Sequence, residues 1–498
     1  MDIELKKKIG QMFLCGFNDT KINGHIKNLI ENYYLGNVIL FSRNLKTENQ
    51  VVELNADLKR AIENSTSYPP FIAIDEEGGS VSRLRNVYGE FLGHYSIGAL
   101  GDEKVAYNLG NSIGFKLRNL GINMNLAPVA DINSNPENIG IGIRSFGSNK
   151  NLVKNMVIEM YKGYENNLLP TLKHFPGLGD VAVDSHHDLP ILKKTLEEIE
   201  DQELVPFIYG IENGVKSIMV SHIIFDAIDE KYPASMSNAV ITGLLKDKLG
   251  YNGIIMTDCF EMGAIQKNYG TKEAVIIALN AGIDIFDISH TEELQVEAIE
   301  GVYEAVEKGI IPIERINESY EKIVKFKKIF GNKMQDAPSF SLKDEYIKVL
   351  NTNGVRNWER KNIKIGNTIA LAVNQFSSNP AEDVINNPIN ISDIFPKKTN
   401  IETVGFNKDL NQEDIAYLIN RARDKENVLL FVGDMDIYKN QHELYKSLEG
   451  KNIYLFDMRL KVDKLQFEPK LYFSAYSYTN ETVEVLCDYL KELLQKGI

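Results

Sequence analysis

Over the first two-thirds of the chain, short apolar runs alternate with longer stretches in which apolar residues recur every three to four positions. The runs cover residues 11–17, 36–41, 71–75, 123–128, 171–175, 217–222, 253–258 and 283–288. Runs of this length without polar alternation are the signature of strands buried on both faces, and the stretches between them read as amphipathic helices. The pattern predicts a (β/α)8 TIM barrel, whose usual length is ~250 residues or more. A doubly wound sheet alternates in the same way, and the pattern alone does not separate the two.

The polar residues that close these runs sharpen the picture. Asp75, the pair Lys173-His174, His222 and Asp258 each end an apolar run. In a barrel the carboxyl ends of the strands converge on one face, where active sites are built. A lone Asp at a strand end is often only a helix N-cap, but several ionisable groups at strand ends point to a shared site.

Beyond residue 311 the helical pattern continues to 330, and a stretch rich in Gly, Asn, Asp, Pro and Ser follows at 331–341. That punctuation marks the end of a first domain. A helical connector is expected at 342–358, then strands at 368–373, 427–432, 452–456 and 471–474, with helices at 411–425 and 480–495. The resulting division is a catalytic TIM-barrel domain (1–335), a linker (336–360) and a smaller C-terminal α/β sandwich domain (361–498).

Bulk properties set outer bounds. The 498 residues are 43% hydrophobic and 25% charged, ordinary for a soluble chain of two or more domains. A net charge of -14 lacks the basic footprint of a nucleic-acid binder, so an anionic ligand would need local Arg or Lys. Cys15, Cys259 and Cys487 are odd in number and far apart, which argues against a disulfide framework. The first residues, Met1-Asp2-Ile3-Glu4-Leu5-Lys6-Lys7-Lys8-Ile9, lack an apolar signal core, and no long apolar span follows. A cytoplasmic protein that engages neither membrane nor nucleic acid is the expectation.

Four stretches carry candidate chemistry. The first runs Lys173-His174-Phe175-Pro176-Gly177, then Asp184-Ser185-His186-His187-Asp188-Leu189-Pro190. In an Asp-x-His spacing the carboxylate can accept one imidazole N–H and leave the other nitrogen free for proton transfer. A surface hydrogen bond satisfies the same spacing. No His-x-x-x-His helix or Cys cluster backs a metal site, so no metal and no cofactor is expected. The second stretch is Asp75-Glu76-Glu77-Gly78-Gly79-Ser80-Val81-Ser82-Arg83, a strand-end acid with a following Gly pair and Arg, which reads equally as a capped helix start. The third places Arg144 between Gly140-Ile141-Gly142-Ile143 and Ser145-Phe146-Gly147, able to hold a substrate oxygen or to stay solvated. The fourth delivers Asp258 at the end of Ile254-Ile255-Met256-Thr257, as a nucleophile, a cation ligand or a cap.

Together these suit retaining glycoside hydrolysis, which needs a nucleophilic carboxylate on one face of the anomeric carbon and a proton donor on the other. Asp258 would attack and His186 would protonate the leaving oxygen. Use of a His departs from the usual two-carboxylate scheme.

The chain resembles glycoside hydrolase family 3, and within it the β-N-acetylglucosaminidases of the NagZ type. The resemblance rests on 36–44, 74–83, 125–131, 144–147, 173–177, 184–190 and 257–258, above all on the two halves of the His loop. It implies a TIM barrel, with His186 as acid/base oriented by Asp184, Asp258 as nucleophile, and Asp75, Arg83, Arg144, Lys173 and His174 as sugar-binding residues. It also implies a small carbohydrate substrate, removal of non-reducing terminal β-GlcNAc, and a role in peptidoglycan recycling. Departures from the family pattern are Leu178 where many relatives have His, Ser80 where Arg is common, and Cys259 where Asp or Ala is usual. They bear on the shape of the leaving-group site. In relatives without the His loop the second domain supplies the acid/base; here the loop makes that unnecessary.

Two rivals share these residues. A β-GlcNAc phosphorylase would resolve the glycosyl-enzyme with phosphate, which a neutral His would not repel as a carboxylate would. A non-catalytic sugar-binding protein would keep the pocket without turnover, and the intact Asp184, His186 and Asp258 argue against it.

Overall fold

A computed structural model of the chain describes residues 2–181, 189–331, 342–353, 367–377, 381–382, 387–460 and 465–495. The first two-thirds hold the parallel strands β1 (Phe13–Cys15), β2 (Asn37–Leu40), β3 (Phe71–Ile74), β4 (Met124–Asn125), β5 (Leu169–Pro170 and, one residue on, Leu172–Phe175), β6 (Ser217–Val220), β7 (Ile254–Thr257) and β8 (Phe286–Ile288). Every residue in them is buried, as continuous apolar runs require. Strand β8 pairs with β1, and pairing continues through β2, β3 and β4 to the first part of β5. The second part of β5 pairs with β6, and β6 with β7. A parallel bridge between Met256 and Ile285, with the Thr257 N–H donating to the Ile285 carbonyl at 3.0 Å, leads from β7 back to β8.

Helices cover this circuit for the reason the spacing predicts. The helix Glu48–Thr66 starts where the Thr47 hydroxyl accepts the Gln50 N–H, and it buries Val51, Leu54, Leu58 and Ile62 on one face. Register places the strand ends at one level. Val220 pairs with both Phe175 and Thr257, so Ser221 and Asp258 leave their strands side by side.

The amino end of the circuit is closed by satisfied charges. Lys327 reaches in from the helix Ile313–Phe330 and donates to Gln11 Oε1 at 2.7 Å and to the Gly36 carbonyl at 2.9 Å. Asp284 accepts from Lys322 at 2.8 Å, Ser319 at 2.6 Å and Arg315 at 3.2 Å.

A second sheet holds β9 (Thr368–Val373), β10 (Glu402–Phe406), β11 (Asn427–Val432), β12 (Asn452–Asp457) and β13 (Leu471–Ser474). All pairs are parallel, in the order β10-β9-β11-β12-β13. Strand β10 was not among the expected strands. It lies at the sheet edge and buries only Phe406, so it carries no apolar run to read. The connector is helical over Leu342–Asn353, and the rest of the expected 342–358 lies outside the described residues, as do 359–366. The helices Gln412–Ala422 and Asn480–Gln495 occupy the expected places. Those at Ile391–Thr399 and Lys439–Ser447 were not foreseen, the former carrying an internal Pro396. Among the described residues, no helix is long and apolar enough to cross a membrane.

One close approach fixes a loop that matters below. A Cβ on Gly98, in the helix His94–Leu100, would fall 1.7 Å from the Phe146 carbonyl oxygen. Gly98→Ala is therefore expected to lower the unfolding free energy by ~1–3 kcal/mol, as overpacking does. Urea unfolding followed by circular dichroism measures it, and an unchanged midpoint would mean that the 144–147 loop yields freely.

Candidate active site

The carboxyl end of the first sheet gathers a buried network of charges. Asp75, the residue after β3, accepts from Lys173 Nζ at 2.7 Å. The same ammonium lies 2.7 Å from Glu77 Oε1. Arg144 grips Glu77 with two bonds, Nε to Oε2 at 2.9 Å and Nη2 to Oε1 at 2.8 Å, and gives a third to the Gly140 carbonyl at 2.7 Å. Planar guanidinium and planar carboxylate match in this bidentate pairing. His174 hydrogen-bonds Asp131 Oδ2 through Nδ1 at 2.6 Å, and its Nε2 lies 3.4 Å from Arg144 Nη2. One tautomer serves both contacts, with Nδ1–H donating and Nε2 accepting.

Local structure explains how these groups reach one place. After Asp75 the chain forms an antiparallel hairpin, Glu76–Gly78 against Val81–Ser82, not the capped helix start that its spacing also allowed. Gly78 and Gly79 turn it at φ values of 82° and 61°, and a Cβ at Gly78 would meet the Leu92 carbonyl at 2.4 Å. Lys173 and His174 project from β5 itself. Arg144 belongs to a short 3-10 turn, Gly142–Arg144, and is buried, contrary to the solvated alternative.

Burial alone would raise the Glu77 carboxyl, but Arg144 and Lys173 outweigh it and hold the group well below the usual carboxylate range. Lys173 answers in kind: burial would lower it, and Asp75 with Glu77 raises it above the ordinary ammonium value. Next to them, His94 is buried, stacks on Phe146 at 4.5 Å and donates from Nδ1 to the Arg144 carbonyl at 2.6 Å. Burial is the main cause that lowers its pKa to about 4, against the pull of Glu77.

Asp258 follows β7, half-buried, with the Cys259 N–H donating to Oδ1 at 2.8 Å. The next helix, Gly263–Gln266, begins beyond Met262, so Asp258 is not its cap. His222 steadies the turn: Nε2 bonds the Cys259 carbonyl at 3.0 Å, Nδ1 faces Ser235 Oγ at 2.8 Å, and the ring stacks on Phe260. Arg83 and Arg43 both lie over the Phe41 ring, at 5.7 and 4.3 Å, beside His290 at 5.0 Å. Asp184 and His186 fall outside the described residues. The stems of their loop are described. Asp180 meets Lys194 at 3.0 Å, and Ile191–Leu192 pairs with Ile224–Phe225.

Three groups escaped sequence reading as site residues. Glu77 and Asp131 organise the basic side chains, yet one lies inside a run of acids and the other ends an apolar stretch without a local partner. Asp287, inside the apolar β8, is buried and accepts from Ser289 Oγ at 2.7 Å. Burial, together with the charges of Asp75, Asp258 and Glu261, pushes it well above the usual carboxylate range. An acid within Phe286-Asp287-Ile288 was the signal that could have found it. Among the described residues, no group of three or more His, Cys, Asp and Glu side chains is placed to hold a metal ion.

Comparison with known proteins agrees with this arrangement. Residues 4–326 match the glycosyl hydrolase family 3 N terminal domain, and the chain belongs to that family. It is 35% identical over 352 residues to β-hexosaminidase A of Pseudoalteromonas piscicida, spanning 65% of this chain and 58% of that one. Identity to the β-hexosaminidase of Stenotrophomonas maltophilia (strain K279a) is 32% over 288 residues, 56% of this chain and 84% of that one. Among solved structures, the family 3 β-N-acetylglucosaminidase from Paenibacillus sp. str. FPU-7 superposes with a TM-score of 0.86 at 31% identity, covering 98% of this chain and 96% of that one.

The His94 geometry gives a pH signature. Its pKa, lowered from 6.5 to about 4, means that the unfolded chain takes up this proton first as pH falls. Stability from this group is therefore complete above pH ~6.5 and is lost progressively toward pH ~4, by roughly 3 kcal/mol in all. His94→Asn, which keeps a donor for the Arg144 carbonyl, should flatten the Tm-against-pH curve in that window. Parallel wild-type and variant curves in calorimetry would assign the acid sensitivity elsewhere.

Proposed function

We propose that the protein is a retaining exo-β-N-acetylglucosaminidase that removes non-reducing terminal β-GlcNAc from muropeptide or GlcNAc-MurNAc fragments during peptidoglycan recycling in the cytoplasm. The observation that carries this reading is the Asp75–Lys173–Glu77–Arg144 network at the strand ends, with Asp75 and Asp258 both near enough to Asp287 to act on its charge. A pyranose hydroxyl needs donors and acceptors fixed in advance, and buried, mutually bonded charges supply them. The family relatives, named as β-hexosaminidases and as a β-N-acetylglucosaminidase, support the same class of substrate. The strand circuit supports a (β/α)8 barrel over 1–335 as scaffold, with 361–498 as a second unit.

In this mechanism Asp258 attacks the anomeric carbon while His186 protonates the departing oxygen. His186 then takes a proton from water as the water oxygen bonds to the anomeric carbon and displaces the Asp258 carboxylate, which releases the sugar with its configuration retained. Asp184 accepts the imidazole N–H and fixes its tautomer. Asp287, whose carboxyl burial and the neighbouring acids push above the usual carboxylate range, lies close enough to Asp258 to feel its charge. Asp75, Arg83, Arg144, Lys173 and His174 hold the sugar.

A fluorinated GlcNAc-type inactivator should label Asp258, and Asp258→Ala should bind sugar without turnover. Peptide mapping to another residue, or near-normal turnover, would remove Asp258 as nucleophile. His186→Ala should lose ~100- to 10,000-fold on a disaccharide and less on an activated aryl glycoside, with azide restoring turnover as a β-glycosyl azide. Equal losses on both substrates without azide product would give this His a structural role. Release of GlcNAc 1-phosphate in phosphate buffer would select the phosphorylase.

A further inference from the structure

The second sheet is more than an appendage to the barrel. Its order, β10-β9-β11-β12-β13, reverses direction between β9 and β11, and open sheets of this kind bind ligands outside the carboxyl ends at that crevice. Here the protein's own charges occupy it. Arg459, two residues after β12, is buried; its Nε donates to Asp434 Oδ2 at 2.7 Å and its Nη2 to Glu382 Oε1 at 2.6 Å. Its guanidinium lies 5.5 Å from the Phe376 ring, and Ser377 Oγ donates to Glu382 Oε2 at 3.2 Å. Glu382 is thereby tied to the ends of β9, β11 and β12.

The residue before it makes the connection. The Ala381 carbonyl accepts from Arg83 Nη1 at 3.2 Å, and Arg83 lies over Phe41 at the barrel mouth. Further contacts join the same faces. Ser96 Oγ donates to the Tyr476 carbonyl at 3.3 Å, and the Glu481 N–H donates to Glu90 Oε2 at 2.9 Å. The barrel-side partners lie in the segment that comes after the hairpin carrying Glu77. Burying an Arg with two carboxylates is a poor way merely to glue two units together, because apolar contact does so without the desolvation penalty.

We propose that the Glu382–Arg459–Asp434 cluster positions the sugar pocket: it fixes the Ala381 carbonyl that aims Arg83 at the substrate, so the C-terminal sheet sets substrate affinity. The inference rests on the reading of Arg83 as a sugar-binding residue. Arg459 and Glu382 are positioning residues that touch no substrate.

The test is steady-state kinetics of the full chain on an aryl β-GlcNAc. Arg83→Ala sets the scale, with KM raised about 10-fold or more, as for one lost charged hydrogen bond. Arg459→Ala should raise KM comparably with kcat little changed, and should add almost nothing in the Arg83→Ala background, since the two act through one contact. Arg459→Lys should recover part of the loss. If Arg459→Ala does not fold, Glu382→Gln, which keeps the Arg459–Asp434 pair, takes its place in the cycle. A normal KM in the folded Arg459 or Glu382 variant, or effects that simply multiply, would overturn this proposal alone. Wild-type kcat/KM in Arg83→Ala would overturn the pocket reading and the proposal with it.

Discussion

Everything at the carboxyl end of the first sheet depends on one buried carboxylate. Glu77 sits between Arg144 and Lys173, and each cation is buried because Glu77 is there. Removing one member of such a group leaves uncompensated charge in a low-dielectric interior, at roughly 3–5 kcal/mol. The arrangement is therefore all-or-none, and that gives it precision. Arg144 is directed by its hydrogen bonds to Glu77, Gly140 and His174, while His94 holds its carbonyl and Phe146 is packed against Gly98. The hairpin glycines let the Glu77 backbone approach this closely.

The two ends of the strand circuit handle charge differently. At the amino end, Asp284 meets Lys322, Arg315 and Ser319, and Lys327 donates to Gln11 and Gly36. These groups consume one another and serve stability. At the carboxyl end the groups bond one another yet border a half-buried Asp258 and a half-buried Asp75. The family to which the chain belongs fits this asymmetry. Conserving precision at one end and cohesion at the other is how a barrel-like scaffold separates function from folding.

Legibility in the sequence followed burial. The strands of the first circuit lie within expected apolar runs, save Leu169–Pro170 just before the run 171–175, because strands covered on both faces cannot alternate. Strand β10, mostly exposed at an edge, left no run, and Pro396 hid a helix. Lys173, His174, Asp75 and Arg144 were found as strand-end and loop groups, and the structure brings them together. Arg83 stands apart over Phe41, nearer the second sheet. Glu77 lies in an acidic run whose spacing reveals no role, since its partner Arg144 is 67 positions away. Asp287 is not legible because an acid within an apolar strand has no local partner in the sequence to announce its raised pKa.

Glu261, an acid three residues after Asp258, is the nearest alternative in sequence for a proton donor. Its oxygens are already engaged: Oε1 accepts the backbone N–H groups of His290 and Thr291, and Oε2 accepts the Thr291 hydroxyl. The carboxylate thus seals the start of the helix Glu292–Glu307 and ties the turn after Asp258 to the next loop. Alanine at this position would slacken that turn and depress turnover without removing any proton donor. Activity loss there is a false positive for general acid catalysis, and only a leaving-group series tells a loosened Asp258 turn from a missing acid.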